Sequence, residues 1–405
     1  TTVSANAQQL FNLQRCIEYA LENNNKLKKS KLDYSKSIES RKEVMGSLLP
    51  QIMGMGNMNY NIQRARFIMP NFINEFLPPA LQDPNASKYM TIEMGTNYSA
   101  GLGATLNQQI LNFPLFNAIE IAKTAENLAT LSLEMNEEDV IAQTANLYYA
   151  LQSTSFAAEQ FKQSVKLIDR MLVVMEANYK NGLVRKVELD RLKVNRVNLA
   201  TQQSAIENAV EIQKNLLKMQ MGMDISQAIE IENFDLTIVD QSVHLLNPHS
   251  FQLDQLLPFQ LIQQQQKIGN LQLKSVRSEL MPSLMLGVNY QYNILGDKLF
   301  GNDDSFTYPS SAIGLNLRVP IFAGMSKNAK LKSAQIELLK LKEDEQALNQ
   351  SLNMAFQNAM LKLNDSKLTI EAQRQNMELA QEVFRVTEEN YMHGIASLSD
   401  VLNAN

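Results

Sequence analysis

One order of features occurs twice in this chain of 405 residues: helix, proline, alternating strand, loop, alternating strand, proline, long helix, glycine. That duplication limits the possible folds more than any other property. In the second copy Ile313, Leu315, Leu317 and Val319 alternate with Gly314, Asn316 and Arg318, the two-residue period of a strand, and Pro320 ends it. From Ala323, past Gly324, a run free of proline and glycine continues to Tyr391-Met392-His393-Gly394. Along it Leu331, Ala334, Leu338, Leu341, Leu348, Leu352, Ala355 and Ala359 hold heptad spacing, interrupted at Glu345. At about 1.5 Å per residue, roughly 70 helical residues would extend on the order of 100 Å, far more than a globular domain needs.

The first copy reads the same way. Ile92, Met94, Thr96, Tyr98, Ala100, Leu102, Ala104 and Leu106 alternate with Glu93, Gly95, Asn97, Ser99, Gly101, Gly103, Thr105 and Asn107. Phe113-Pro114-Leu115-Phe116 answers Val319-Pro320-Ile321-Phe322, Asn178-Tyr179-x-x-Gly182 answers Asn390-Tyr391-x-x-Gly394, and Leu48-Leu49-Pro50 answers Leu280-Met281-Pro282. Two structurally equivalent halves that pack side by side are expected. The division is 1–222 as the first repeat, 223–257 as a link and 258–405 as the second repeat.

Along the chain, residues 11–47 read as one helix, with Ile17, Ala20, Leu21 and Leu27 on one face. Strands are expected near 51–63, 91–110, 283–295 and 311–319. Residues 64–90 hold Pro70, Pro78, Pro79 and Pro84 and read as a long irregular loop, and Gly296 to Pro309 as a polar turn. The first long helix should fold back at Gly182 into a return helix from about Val187 to Met221, closed by Gly222. The link holds the short run Ile229, Ile231, Phe234, Leu236. After Gly394 only Ile395 to Asn405 remain, so the second return helix is expected to be truncated.

The net charge of −5 leaves no overall electrostatic footprint for nucleic acid. No apolar run approaches the roughly 18 residues of a membrane helix, so any membrane crossing falls to strands. Ile52, Gly54, Gly56, Met58, Tyr60 and Ile62 suit lipid, while Met53, Met55, Asn57, Asn59, Asn61 and Gln63 suit a wet lumen. Leu284, Leu286, Val288, Tyr290, Tyr292 and Ile294 repeat that alternation against Ser283, Met285, Gly287, Asn289, Gln291 and Asn293. Four strands cannot close a barrel, which needs about eight, so the barrel would be shared among subunits. Cys16 is the single cysteine; it reads as a buried helix thiol, and Gln14-Arg15 before it are wrong for a lipid anchor. Ala5-Asn6-Ala7 has the small-x-small form that precedes signal cleavage, so a trimmed export signal is expected.

The pattern resembles the TolC-type outer-membrane efflux channels of Gram-negative bacteria, over essentially the whole chain. The likeness rests on the order of Cys16-Ile17-Glu18-Tyr19-Ala20-Leu21-Glu22-Asn23-Asn24, Leu48-Leu49-Pro50, Phe113-Pro114-Leu115-Phe116-Asn117, Tyr179 to Gly182, Val319-Pro320-Ile321-Phe322-Ala323-Gly324, and Tyr391-Met392-His393-Gly394 followed by Asp400-Val401-Leu402-Asn403-Ala404. What the resemblance implies is an α+β membrane protein, a homotrimer with four strands per chain in a twelve-stranded transmembrane β-barrel. Long coiled-coil helices would continue the barrel through the periplasm. It also implies a periplasmic adaptor at the helix tips, an inner-membrane transporter behind it, and a passive duct for small molecules or drugs. A polypeptide-secretion duct is the alternative, and a soluble coiled-coil scaffold the rival from another class.

The resemblance also assigns roles at the tips. Glu188 and Asp400 each lie six residues after a tip glycine, Gly182 or Gly394. From spacing alone they read as first-turn acids favoured by the helix dipole; the resemblance makes them pore-entrance carboxylates, tripled by symmetry. Such rings select and bind cations. Tyr179 and Tyr391 are candidates for a gate latch or for plain packing. The family's basic latch partner is replaced by Ala396 and its second acid by Asn403, so Arg185 and Lys186 are the candidate cations instead. Asn181, Gly182 and Leu183, with His393, Gly394 and Ile395, resemble the turns that dock the adaptor. No nucleophile motif, phosphate loop or metal spacing is present among His244, His249, His393 and the acids, so no enzymatic activity, cofactor or metal is expected.

Overall fold

The computed structural model describes residues 10–233, 252–298 and 305–404. Phe234, Leu236, His244 and His249 of the sequence reading lie outside them. The chain divides into two compact units that cut across the sequence repeats: residues 1–37, 126–266 and 340–405 form one, and residues 38–125 and 267–339 the other.

The second of these units holds the sheet. β2 (Gln51–Tyr60), β5 (Tyr98–Leu111), β7 (Ser283–Gly296) and β8 (Ser305–Arg318) pair in the order β2-β5-β7-β8, antiparallel throughout. The ladders run Ile52↔Leu106, Leu106↔Val288 and Val288↔Ile313. Directly paired residues share a face, so the sets of Ile52, Leu106, Val288 and Ile313 coincide on one side and those of Asn57, Asn107, Gln291 and Asn316 on the other.

Several expected boundaries are corrected there. β2 ends at Tyr60, short of residue 63. The span read as an irregular loop contains β3 (Ala65–Pro70), the short helix α3 (Phe72–Phe76) and β4 (Tyr89–Met94). β3 and β4 pair antiparallel, Phe67 facing Ile92, and Arg66 meets Glu93 at 2.7 Å. Pro78, Pro79 and Pro84 all fall in the connection between α3 and β4, where no ladder hydrogen bond is lost. The expected single strand near 91–110 is therefore two, parted at Gly95-Thr96-Asn97. β8 begins at Ser305 and takes in Pro309, which the expected turn had absorbed; β8 is an edge strand, where a sheet tolerates proline.

In the first unit, α1 (Leu13–Asn23) and α2 (Asn25–Gly46, which runs on into the sheet unit) replace the expected single helix. Asn24 breaks it: its side-chain oxygen accepts from the N–H groups of Lys26 and Leu27 at 2.7 and 3.2 Å, capping α2, while its amide donates to the Gln220 carbonyl at 2.6 Å. α4 (Phe113–Lys180) begins within the sheet unit on an Asn112 cap, and α5 (Lys186–Met221) returns. β1 (Leu10–Phe11) pairs in parallel with β6 (Glu230–Ile231). Cys16, Ala20, Leu27, Val140, Leu151, Leu217 and Met221 form a core of this unit with Phe11, Tyr148 and Ile229. Burial pushes the Cys16 thiol and the Tyr148 phenol up to about 12. The Tyr148 hydroxyl donates to the Phe11 carbonyl at 3.4 Å, tying α4 to β1.

In the second repeat, α6 (Leu257–Ser278) precedes β7, and α7 (Ser326–Met392) follows β8. α7 starts three residues later than Ala323, because Gly324 and Met325 both take the left-handed conformation, at φ 56° and 63°. α8 (Leu398–Ala404) follows the second tip. The heptad positions Leu331, Ala334, Leu338, Leu341, Leu348 and Leu352 are the half-covered stripe of α7, whereas Ala355 and Ala359 are exposed.

Candidate functional site: the helix tips and the faces of the sheet

The two tips fold by the same backbone device. At the first, the Gly182 N–H donates to Tyr179 and the Leu183 N–H to Asn178; at the second, Gly394 donates to Tyr391 and Ile395 to Asn390. These are paired Schellman turns, and the glycines sit at φ 73° and 75°, where a side chain would be strained. The residue after each glycine is apolar and points to solvent, Leu183 at 72% and Ile395 at 76% exposure. Asn181 and His393 are exposed beside them, their N–H groups donating to Ala177 and Glu389.

The acids differ between the tips. Glu188, in the first turn of α5, is partly covered and lies 3.9 Å from Arg185 and 3.8 Å from Arg191. Arg191 escaped the sequence reading, although its spacing of three from Glu188 on one helix face was the available signal. Lys186 is exposed and lies outside that cluster. Asp400 is exposed and caps α8: its carboxylate accepts from the Ser397 N–H and hydroxyl, and those bonds hold it below its ordinary acidity range.

The tyrosines differ as well. The Tyr391 hydroxyl lies 3.3 Å from the Met175 sulfur, and its ring packs with Ile168, Leu189, Leu192 and Leu398 in a core that joins α4, α5 and α8. Burial raises its phenol. Tyr179, its equivalent in the first tip, remains 41% exposed. One chain therefore uses one tyrosine for its own packing and presents the other.

In the sheet unit, Leu102, Tyr290, Ile313, Leu315 and Leu317 are exposed on the apolar face. Both edge strands, β2 and β8, lack an outer partner among the described residues. An exposed apolar face with two free edges is a surface that water does not stabilise.

The family model described as Outer membrane efflux protein matches residues 260–405. Outer membrane protein TolC of Escherichia coli (strain K12) is 23% identical over 98% of this chain and 76% of its own length; that of Salmonella enteritidis is 21% identical over the same shares. Among solved structures, VceC of Vibrio cholerae matches 97% of this chain and 88% of its own with a TM-score of 0.69 at 16% identity. The CmeC outer membrane channel of Campylobacter jejuni matches 97% of this chain and 79% of its own with a TM-score of 0.71 at 18% identity. With the fold shared over 97% of the chain and residues 260–405 matched by the family model, the chain is similar along its length to the TolC-type outer-membrane efflux proteins.

Proposed function

We propose that three copies of this chain form a passive duct in the outer membrane of a Gram-negative bacterium, fed by a periplasmic adaptor and an inner-membrane transporter. The protein is an outer-membrane channel subunit and not an enzyme. The observation that carries the trimeric reading is the four-stranded sheet, with one continuous apolar face and, among the described residues, no outer partner for β2 or β8. Joining β8 of one copy to β2 of the next removes both edges, and three copies supply twelve strands.

At the tips, Glu188 and Asp400 form the carboxylate rings of the entrance. Like charges about 6 Å apart at an effective dielectric near 20 repel by roughly 3 kcal/mol per pair, so cations or basic side chains must offset them in a closed state. Arg185 and Arg191 already do so for Glu188. The exposed Tyr179, with Lys186 and Arg185 of the same tip, is the gate latch toward the neighbouring copy. Leu183 and Ile395, with Asn181, Gly182, His393 and Gly394, dock the adaptor, two apolar anchors presented by matching turns. The solutes carried are small molecules or drugs.

The test is single-channel conductance of the purified full-length protein in planar bilayers, with and without divalent cations, for wild type and for the Glu188→Ala/Asp400→Ala double variant. Small cation-selective steps blocked by divalents, with block lost in the variant, are expected. Block that persists in the variant would remove the acids from the entrance, and failure of wild type to insert would remove the barrel.

A further inference from the structure

The polar face of the sheet is almost free of charge. β2, β5, β7 and β8 contain one formally charged residue between them, Arg318, the last residue of β8. Register decides which side it is on. Arg318 faces Ser283, Asn316 faces Met285 and Gly314 faces Gly287, which in turn faces Asn107. Arg318 therefore shares the face of Asn316, Asn107 and Asn57, and lies opposite the face of Leu315 and Leu317. It is exposed, and no other described residue pairs with its guanidinium.

Its surroundings leave that charge uncompensated. Glu279, the acid just ahead of β7, is already bound by both Lys327 and Lys330, which hold its carboxyl below the usual range. Farther along the face the lining is uncharged, with the carboxamides of Asn57, Asn107, Gln291 and Asn316 among methionine, glycine and serine. Gln291 lies flat across Gly101, and a Cβ at Gly101 would collide with the Gln291 amide and the Asn57 side-chain oxygen.

We infer that Arg318 is an anion-binding position in the duct, where carboxylate, phosphate or sulfonate groups of passing solutes are held. This rests on the trimeric barrel proposed above. Three guanidinium groups then ring the helix-side end of an otherwise neutral lumen, and an uncompensated ring in a confined pore concentrates counter-ions. Guanidinium presents paired donors that match the two oxygens of such anions. A lipid headgroup does not fit, because it would require the guanidinium on the face of Leu315 and Leu317.

The test uses full-length protein in planar bilayers under a potassium chloride gradient, with citrate added as the anionic probe. Relative to wild type, Arg318→Gln should lower the chloride-to-potassium permeability ratio at least about threefold, Arg318→Glu further still, and Arg318→Lys little. Citrate should interrupt the current of wild type and Arg318→Lys but not of Arg318→Gln. Asn316→Asp, which keeps Arg318 and sets an acid beside it on the same face, should lose citrate block in the same way, and it decides the matter should Arg318→Gln fail to assemble. Channels of wild-type ratio and citrate block in both Arg318→Gln and Asn316→Asp would overturn the inference while leaving the duct intact. Absence of any channel in wild type would sink the barrel reading instead.

Discussion

Asp400 and Ser397 cap α8 reciprocally: the carboxylate accepts the Ser397 N–H at 2.8 Å and hydroxyl at 2.7 Å, while the Asp400 N–H reaches the Ser397 oxygen at 3.2 Å. The acid proposed to line the entrance thus also fastens the helix that carries it. Its carboxyl is more acidic in the folded chain, so its contribution is complete above the ordinary Asp range and is lost as pH falls through about 4 and below. Hydrogen exchange at the α8 amides should lose protection over that window in wild type. Asp400→Asn should flatten the response; an unchanged profile would mean that the cap does not hold the helix.

Gly222 ends α5 at φ 72°, and a Cβ there would collide with the Asn23 carbonyl oxygen. Strain and collision act together, so Gly222→Ala should cost about 1–3 kcal/mol and lower the thermal midpoint. Gly46→Ala, with nothing near the added methyl, should leave the midpoint unchanged or slightly raised. Equal effects of the two substitutions would refute the steric account.

Buried Asn117, at the start of α4, donates to the Ser278 hydroxyl at 2.8 Å at the end of α6. Ser278→Ala leaves that amide without its acceptor and should destabilise by about 1–3 kcal/mol in denaturant titration. The double variant Asn117→Leu/Ser278→Ala should recover part of the loss. A double variant worse than Ser278→Ala would point to packing rather than the hydrogen bond.

Met354, Leu361 and Leu368 stand seven residues apart on α7 and are 59%, 68% and 74% exposed in the single chain. That is a coiled-coil stripe without a cover, and the neighbouring copy is its expected partner. Leu361→Glu should shift the detergent-solubilised protein from trimer to monomer in sedimentation, whereas Lys362→Glu should not. An intact Leu361→Glu trimer would place the subunit seam elsewhere.

Alternation of apolar with Asn, Gln and Gly residues sufficed to place the sheet and its two faces, because a strand's side-chain period is two and local. The duplicated Tyr-x-x-Gly tips were legible for the same kind of reason: a left-handed turn after a helix calls for glycine in sequence. The break at Asn24 and the hairpin of β3 and β4 were not read, although Asn23-Asn24-Asn25 was a capping signal and Pro78, Pro79 and Pro84 lay between the strands, with Pro70 at the last position of β3. Other features were decided only by tertiary structure. Which tyrosine is spent on Met175, and that Arg318 shares the face of Asn57 across three ladders, both depend on residues far apart in the chain. Local periodicity carries the secondary structure and the polarity of a face, while register and helix packing, which set partners, arise only when distant segments compete for the same contacts.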